Sequence, residues 1–201
     1  MVKPFLFVTG TPGVGKSYCS ARLGKAFGGI RIIEINDVAE RYRTYSGKDE
    51  YDSRIVRLRE LRMRVMQEID KAGGITVVVG HLAPELGIKA HFAIVKRESL
   101  KKLAARLKKR GYAKGKIREN LIAEAFDYCG EKITKFADFT CEVDTSRQFD
   151  LVAKSIMEHH AGKKAHGVES SAAIRRFCNG ESKYKLEELA EMARSGNEFG
   201  F

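Results

Sequence analysis

The chain has 201 residues, 43% hydrophobic and 31% charged, enough apolar material for one packed domain with an appendage and too much for wholesale disorder. Its formal net charge of +11 favours anionic partners such as a polyphosphate or RNA, although basic runs also serve as plain solvated helix faces. No apolar run reaches the ~18 residues of a membrane span, and four scattered cysteines (Cys19, Cys129, Cys141, Cys178) without metal or redox spacing read as free buried thiols.

Pro4 to Thr9 is a continuous apolar run ending at a glycine, which predicts a buried strand. Because the chain enters this strand almost at once, its start does not read as a cleavable signal, and a cytoplasmic protein with no membrane partner is expected. Lys16 to Phe27 has helical spacing through Cys19, Leu23 and Ala26 and stops at Gly28-Gly29. Arg31 to Asn36 alternates around Ile32, Ile33 and Ile35 as a second strand closed by Asp37. Tyr42 to Ser53 is polar and reads as an irregular excursion. Arg54 to Lys71 places Ile55, Leu58, Leu61, Val65 and Ile69 on one helical face.

Ile75 to Val79 and His91 to Val95 are the third and fourth strands. Two basic helices follow, Glu98 to Arg110 and Lys116 to Phe136, bent apart at Gly111-Tyr112. Lys96 to Arg118 holds eleven Lys or Arg against one acid, Glu98, and Arg54 to Arg64 holds five Arg against Glu60. Phe139 to Val143 is a fifth strand and Phe149 to His160 a closing helix. Strands alternating with helices predict an α/β fold, a doubly wound five-stranded parallel sheet with helices on both faces. From Gly162 the pattern loosens, with one sparse amphipathic stretch at Leu186 to Met192, so 1–161 reads as the domain and 162–201 as an accessory C-terminal tail.

Between the first strand and the first helix lies Gly10-Thr11-Pro12-Gly13-Val14-Gly15-Lys16-Ser17, a G-x-x-x-x-G-K-S phosphate loop in its confirming context. Its glycines let consecutive backbone N–H groups face a phosphate chain at a helix N-terminus. Lys16 is the candidate for the β and γ phosphates and Ser17 for Mg²⁺. Gly13, Val14, Gly15 and Tyr18 complete the expected ATP contacts.

The wording of that loop resembles the adenylate-kinase-like P-loop NTPases of small-ribosomal-subunit maturation. Ile35-Asn36-Asp37-Val38-Ala39 is similar to that family's second-strand exit and Val79-Gly80-His81-Leu82-Ala83 to its third-strand motif. Arg106 to Tyr112, with Lys116-Ile117-Arg118-Glu119-Asn120 and Ala123-Glu124, resembles its lid, and Glu142 to Ser146 its last strand and turn. The resemblance implies a nucleoside monophosphate kinase-like fold with an NMP-binding insert at about 37–60 and a short lid at about 109–119. It implies ATP-to-AMP phosphoryl transfer with Mg²⁺, a slow ATPase, and a role in rRNA processing and ribosome biogenesis beside a small-subunit ribosomal protein and rRNA.

Residue by residue, the resemblance makes His81 a catalytic candidate. Arg110 and Arg106 become the lid arginines that close on the transferring phosphate, and Arg54 or Arg57 could grip the monophosphate. Val79 stands where the family carries an acid. Asp37, leaving the neighbouring strand, either holds the Mg²⁺ water shell with Ser17 or caps the following turn. Two alternatives stay open: a nucleotide-gated ribosome assembly factor with little phosphotransfer, and another small-molecule P-loop kinase.

Overall fold

The computed structural model describes residues 5–160, so the expected tail at 162–201, its amphipathic stretch and Cys178 lie outside the described residues. The elements in order are β1 (Phe5–Thr9), α1 (Lys16–Ala26), β2 (Arg31–Glu34), α2 (Ile35–Arg41), β3 (Tyr45–Lys48), β4 (Arg54–Val56), α3 (Leu58–Asp70) and β5 (Thr76–Val79). A single 3₁₀ turn (Ala83–Glu85) leads to β6 (Ala90–Lys96), α4 (Leu100–Lys109), α5 (Lys114–Ala125), α6 (Tyr128–Ile133), β7 (Ala137–Val143) and α7 (Ser146–His160).

Five strands form one parallel sheet in the order β2-β5-β1-β6-β7. This is the doubly wound α/β sheet that the strand–helix alternation predicts. Successive residues of each strand serve opposite faces. Leu6, Val8, Val77, Val79, Phe92 and Ile94 pack under α1 and α7, against Leu23, Phe149, Val152 and Ile156. Phe5, Phe7, Val78, Ala93 and Val95 pack against Leu61, Val65 and Ile69 of α3. A third cluster joins Val14 of the phosphate loop to Leu100, Leu103, Ala104 and Leu107 of α4 and Ile117, Leu121 and Ala125 of α5. The chain leaves β1 for β2, two places away, and only later fills the other side. That order opens a crevice at the carboxyl ends of the central strands.

Several expectations are corrected. β2 ends at Glu34, because Ile35, Val38 and Ala39 are buried at i, i+3, i+4 spacing and draw the chain into α2. Asp37 therefore sits in the first turn of α2, exposed, rather than closing a strand. The polar excursion contains β3, which pairs antiparallel with β4. Asp49 closes that hairpin by accepting from the amides of Tyr51 (2.9 Å) and Ser53 (2.8 Å), and Arg57 braces it by donating to the carbonyls of Tyr45 (2.5 Å) and Arg43 (2.9 Å). Consequently α3 begins at Leu58, and Ile55 lies on β4, half exposed.

The long helix expected after Lys116 is two, α5 and α6. Asp127 adopts φ 52° and caps α6 through the Gly130 amide (3.2 Å) while pairing with the buried Arg97. Cys19 and Cys129 are free and buried as expected, whereas Cys141 is buried but not a free thiol. Among the described residues no helix is long and apolar enough to cross a membrane.

Candidate active site

The loop from Gly10 to Ser17 joins β1 to α1 through three glycines with positive φ, at 134°, 97° and 102° for Gly10, Gly13 and Gly15. Two of them are also sterically required. A Cβ on Gly10 would lie 2.2 Å from the Lys96 carbonyl oxygen, and one on Gly13 would lie 2.9 Å from Leu103 and 3.0 Å from Leu107. The loop therefore nests against β6 and α4 as bare backbone. Lys16 bends back over it, its Nζ donating to the carbonyls of Gly10 (2.8 Å) and Thr11 (3.0 Å). Ser20 Oγ donates to the Lys16 carbonyl (2.7 Å), tying the helix start one turn further in.

Behind the loop is a buried polar brace. Thr11 Oγ1 donates to Glu124 Oε2 at 2.6 Å, and Glu124 Oε1 accepts from the Glu98 amide at 3.0 Å. Arg97, 4% exposed, donates to the Glu124 carbonyl (3.0 Å) and pairs with Asp127. On the outer side Arg106 donates to the carbonyls of Gly13 (3.3 Å) and Val14 (3.4 Å) and pairs with Glu98 at 2.8 Å. Buried charges persist only when paired in this way, and the network fixes the loop to the helices that follow β6.

In front of the loop lies a cavity of about 650 Å³, within the roughly 300–1,000 Å³ range of small-molecule sites. Its floor is Gly13, Gly15, Lys16 and Ser17, with Tyr18 at the edge, 62% exposed. The strand ends contribute Glu34, Gly80 and His81, α2 contributes Asn36, and the α4–α5 stretch Arg110, Tyr112, Lys116 and Asn120. The far end is the β3–β4 hairpin, through Tyr45, Asp49, Arg54 and Val56. There Arg54 pairs with Glu40 (2.5 Å) and lies 4.8 Å over the Tyr45 ring. Lys116 of α5 reaches Asp49 of the hairpin at 3.1 Å, joining two sides of the cavity's lining.

Burial shifts the titrating groups here. It brings the Lys16 amine down to about 8, an effect that Arg110 reinforces and that Cys129, Glu124 and Glu34 oppose. It brings His81 down to about 4, helped by Lys16 and Lys116, so the imidazole is neutral at pH 7. The Glu34 carboxyl is raised by burial and by Asp37, against a hydrogen bond from Ser17 and the charge of Lys16.

Of the residues singled out from the sequence, Gly13, Gly15, Lys16, Ser17, Tyr18, His81, Arg110 and Arg54 meet around this one cavity. Val14 does not line it; its side chain is buried in the α4–α5 cluster. Arg106 is spent on the loop's carbonyls, and Arg57 on the hairpin's. Asp37 does not line the cavity. The sequence reading missed Glu34, Thr11 and Glu124. Strand alternation puts Glu34 on the α1 side of the sheet, a signal obscured by extending β2 to Asn36. The Thr11–Glu124 bond spans 113 residues and leaves no local trace.

Comparison with known proteins agrees with this geometry. The family model described as AAA domain matches residues 6–127. A protein of Methanocaldococcus jannaschii named "Putative adenylate kinase" is 32% identical over 159 residues, 78% of this chain and 86% of that one. A protein of the same name from Methanothermobacter thermautotrophicus is 34% identical over 140 residues, covering 69% and 78%. The crystal structure of TT1252 from Thermus thermophilus covers 82% of this chain and 100% of its own with a TM-score of 0.54 at 16% identity, a likeness of fold alone.

Proposed function

The chain belongs to the AAA-domain family of P-loop proteins, with relatives named as adenylate kinases, and on that premise we propose that it transfers the terminal phosphoryl group of ATP to AMP. The observation that carries this reading is a single cavity with a phosphate loop at one end and an arginine-bearing hairpin at the other. The loop fits a triphosphate: its glycines leave room only for backbone, and the Lys16 ammonium already sits among acceptors that phosphate oxygens would replace. Ser17, exposed at the start of α1, would hold Mg²⁺, which when bound neutralises charge on the phosphate oxygens.

In this mechanism an AMP phosphate oxygen attacks the γ-phosphorus in line, and the bond to the bridging oxygen of ADP breaks. Lys16 and Arg110, which line the same cavity, neutralise the transferring group, while Arg54 exchanges Glu40 for the acceptor's phosphate. His81, neutral, orients by hydrogen bonding rather than by charge. The lid residues Tyr112 and Lys116 exclude water from the gap. A slow ATPase and a role in ribosome maturation extend this proposal; the lid and strand-exit motifs support them, together with the basic stretch Lys96–Arg118. The alternative of an assembly factor with little transfer draws on Val79, apolar and 0% exposed.

Coupled detection of ADP with AMP, with other monophosphates, and without acceptor tests the proposal. AMP-dependent ADP formation is expected. ADP formation indifferent to every monophosphate removes the kinase reading, and none at all with intact ATP binding favours the assembly factor.

A further inference from the structure

A P-loop that binds Mg²⁺ through its Ser or Thr needs a carboxylate from a neighbouring strand to anchor the ion's water shell. β5 ends beside β1, yet its last residue, Val79, is apolar and sealed in the cluster under α1 and α7. The adjacent strand offers a substitute at the same level. Glu34, last residue of β2, is the register partner of Val79, and it lies on the same face because Ile32 of β2 packs against that same cluster.

We propose that Glu34 is the carboxylate that anchors the Mg²⁺ water shell opposite Ser17, a role that rests on the nucleotide reading above. The other cavity carboxylates are committed. Glu40 is held by Arg54, Asp49 by Lys116 and two hairpin amides, and Glu85 by Lys132 (2.5 Å) and Tyr128 (2.6 Å). Glu34 lines the cavity together with Ser17 and Lys16, at the strand end next to Val79, and its carboxyl feels the charge of Lys16. When the ion takes the Ser17 oxygen, the Glu34 carboxylate is left to accept from the waters of its shell. Asp37, one helical turn on, is exposed and adds only to the local negative field.

Titration calorimetry of the full chain with ATP, in EDTA and in Mg²⁺, tests the assignment on Glu34→Gln, which keeps the side chain's size and loses the charge. Mg²⁺ is expected to tighten ATP binding by the unaltered chain. In Glu34→Gln that tightening should shrink by ~10-fold or more, the usual loss for a residue supporting a metal's shell. In EDTA the variant should bind ATP at least as well as the unaltered chain, because a carboxylate facing the triphosphate has gone. Glu40→Gln should keep the full Mg²⁺ effect, and Glu34→Asp should keep part of it. An undiminished Mg²⁺ effect in Glu34→Gln overturns the assignment and leaves the nucleotide reading standing. Weakened binding in EDTA makes Glu34 a strut of the loop and also overturns it. Failure of the unaltered chain to bind ATP at all overturns the nucleotide reading, and this assignment with it.

Discussion

Lys16 is a buried amine whose natural partners here are two backbone carbonyls, and its pKa of about 8 records what burial costs it. A lowered folded-state value means the unfolded chain holds the proton more tightly, so Lys16 opposes folding at pH 7 and is relieved as pH rises from about 8 towards 10.5. Lys16→Ala should therefore abolish productive ATP binding while leaving the melting temperature unchanged or slightly higher. A triphosphate drives the amine back to its charged form. ATP binding at pH 9 should accordingly take up a proton, visible as a dependence of the calorimetric heat on the buffer's ionisation enthalpy. His81 works in the same direction at lower pH. The unfolded chain protonates it near 6.5 and the folded one only near 4, so stability should fall as pH drops through that window. His81→Gln should flatten this part of the curve, measured by denaturant unfolding at stepped pH.

Elements translate these residues into timing. Arg110 ends α4 beside Gly111, whose φ of 75° turns the chain towards α5. An arginine that meets the transferring phosphate is worth ~10³-fold in rate or more, whereas a solvated one is worth almost nothing. Arg110→Ala should lower kcat at least about a hundredfold with little change in melting temperature, and Arg110→Lys should rescue it only in part. Arg106→Ala should instead raise KM for ATP, because Arg106 holds the loop's own carbonyls. Steady-state kinetics of the two variants separates the roles. Much of this was legible beforehand. The phosphate loop, the five strands and the basic helix after β6 follow from local periodicity and one motif. What was not legible depends on distant pairing. Nothing near Asp127 announces the Arg97 charge that helps break the long helix, and the β3–β4 hairpin hides in polar residues because its stabilisation comes from Asp49 and Arg57 rather than an apolar face. Glu34 was overlooked because its meaning lies in which residue of β5 stands beside it.

At the scale of the whole molecule the excess of +11 sits largely on the α4–α5 side, where Lys101, Lys108, Lys109 and Arg110 are exposed and Arg110 lines the cavity. Association with ATP should thus slow as ionic strength rises, with dissociation little affected, in stopped-flow measurements. The same side holds the third apolar cluster, which but for Val14 comes entirely from residues 100–125. A core closed within so short a stretch can open without disturbing the sheet. Its amides should then exchange with deuterium as one cooperative family, faster than those of β1, β5 and β6. Val14 ties the phosphate loop to that family, so each opening also loosens the grip on a nucleotide. Bound ATP, in return, should slow exchange across both helices at once, making the deuterium uptake of α4 and α5 a measure of occupancy at a loop more than eighty residues away in sequence.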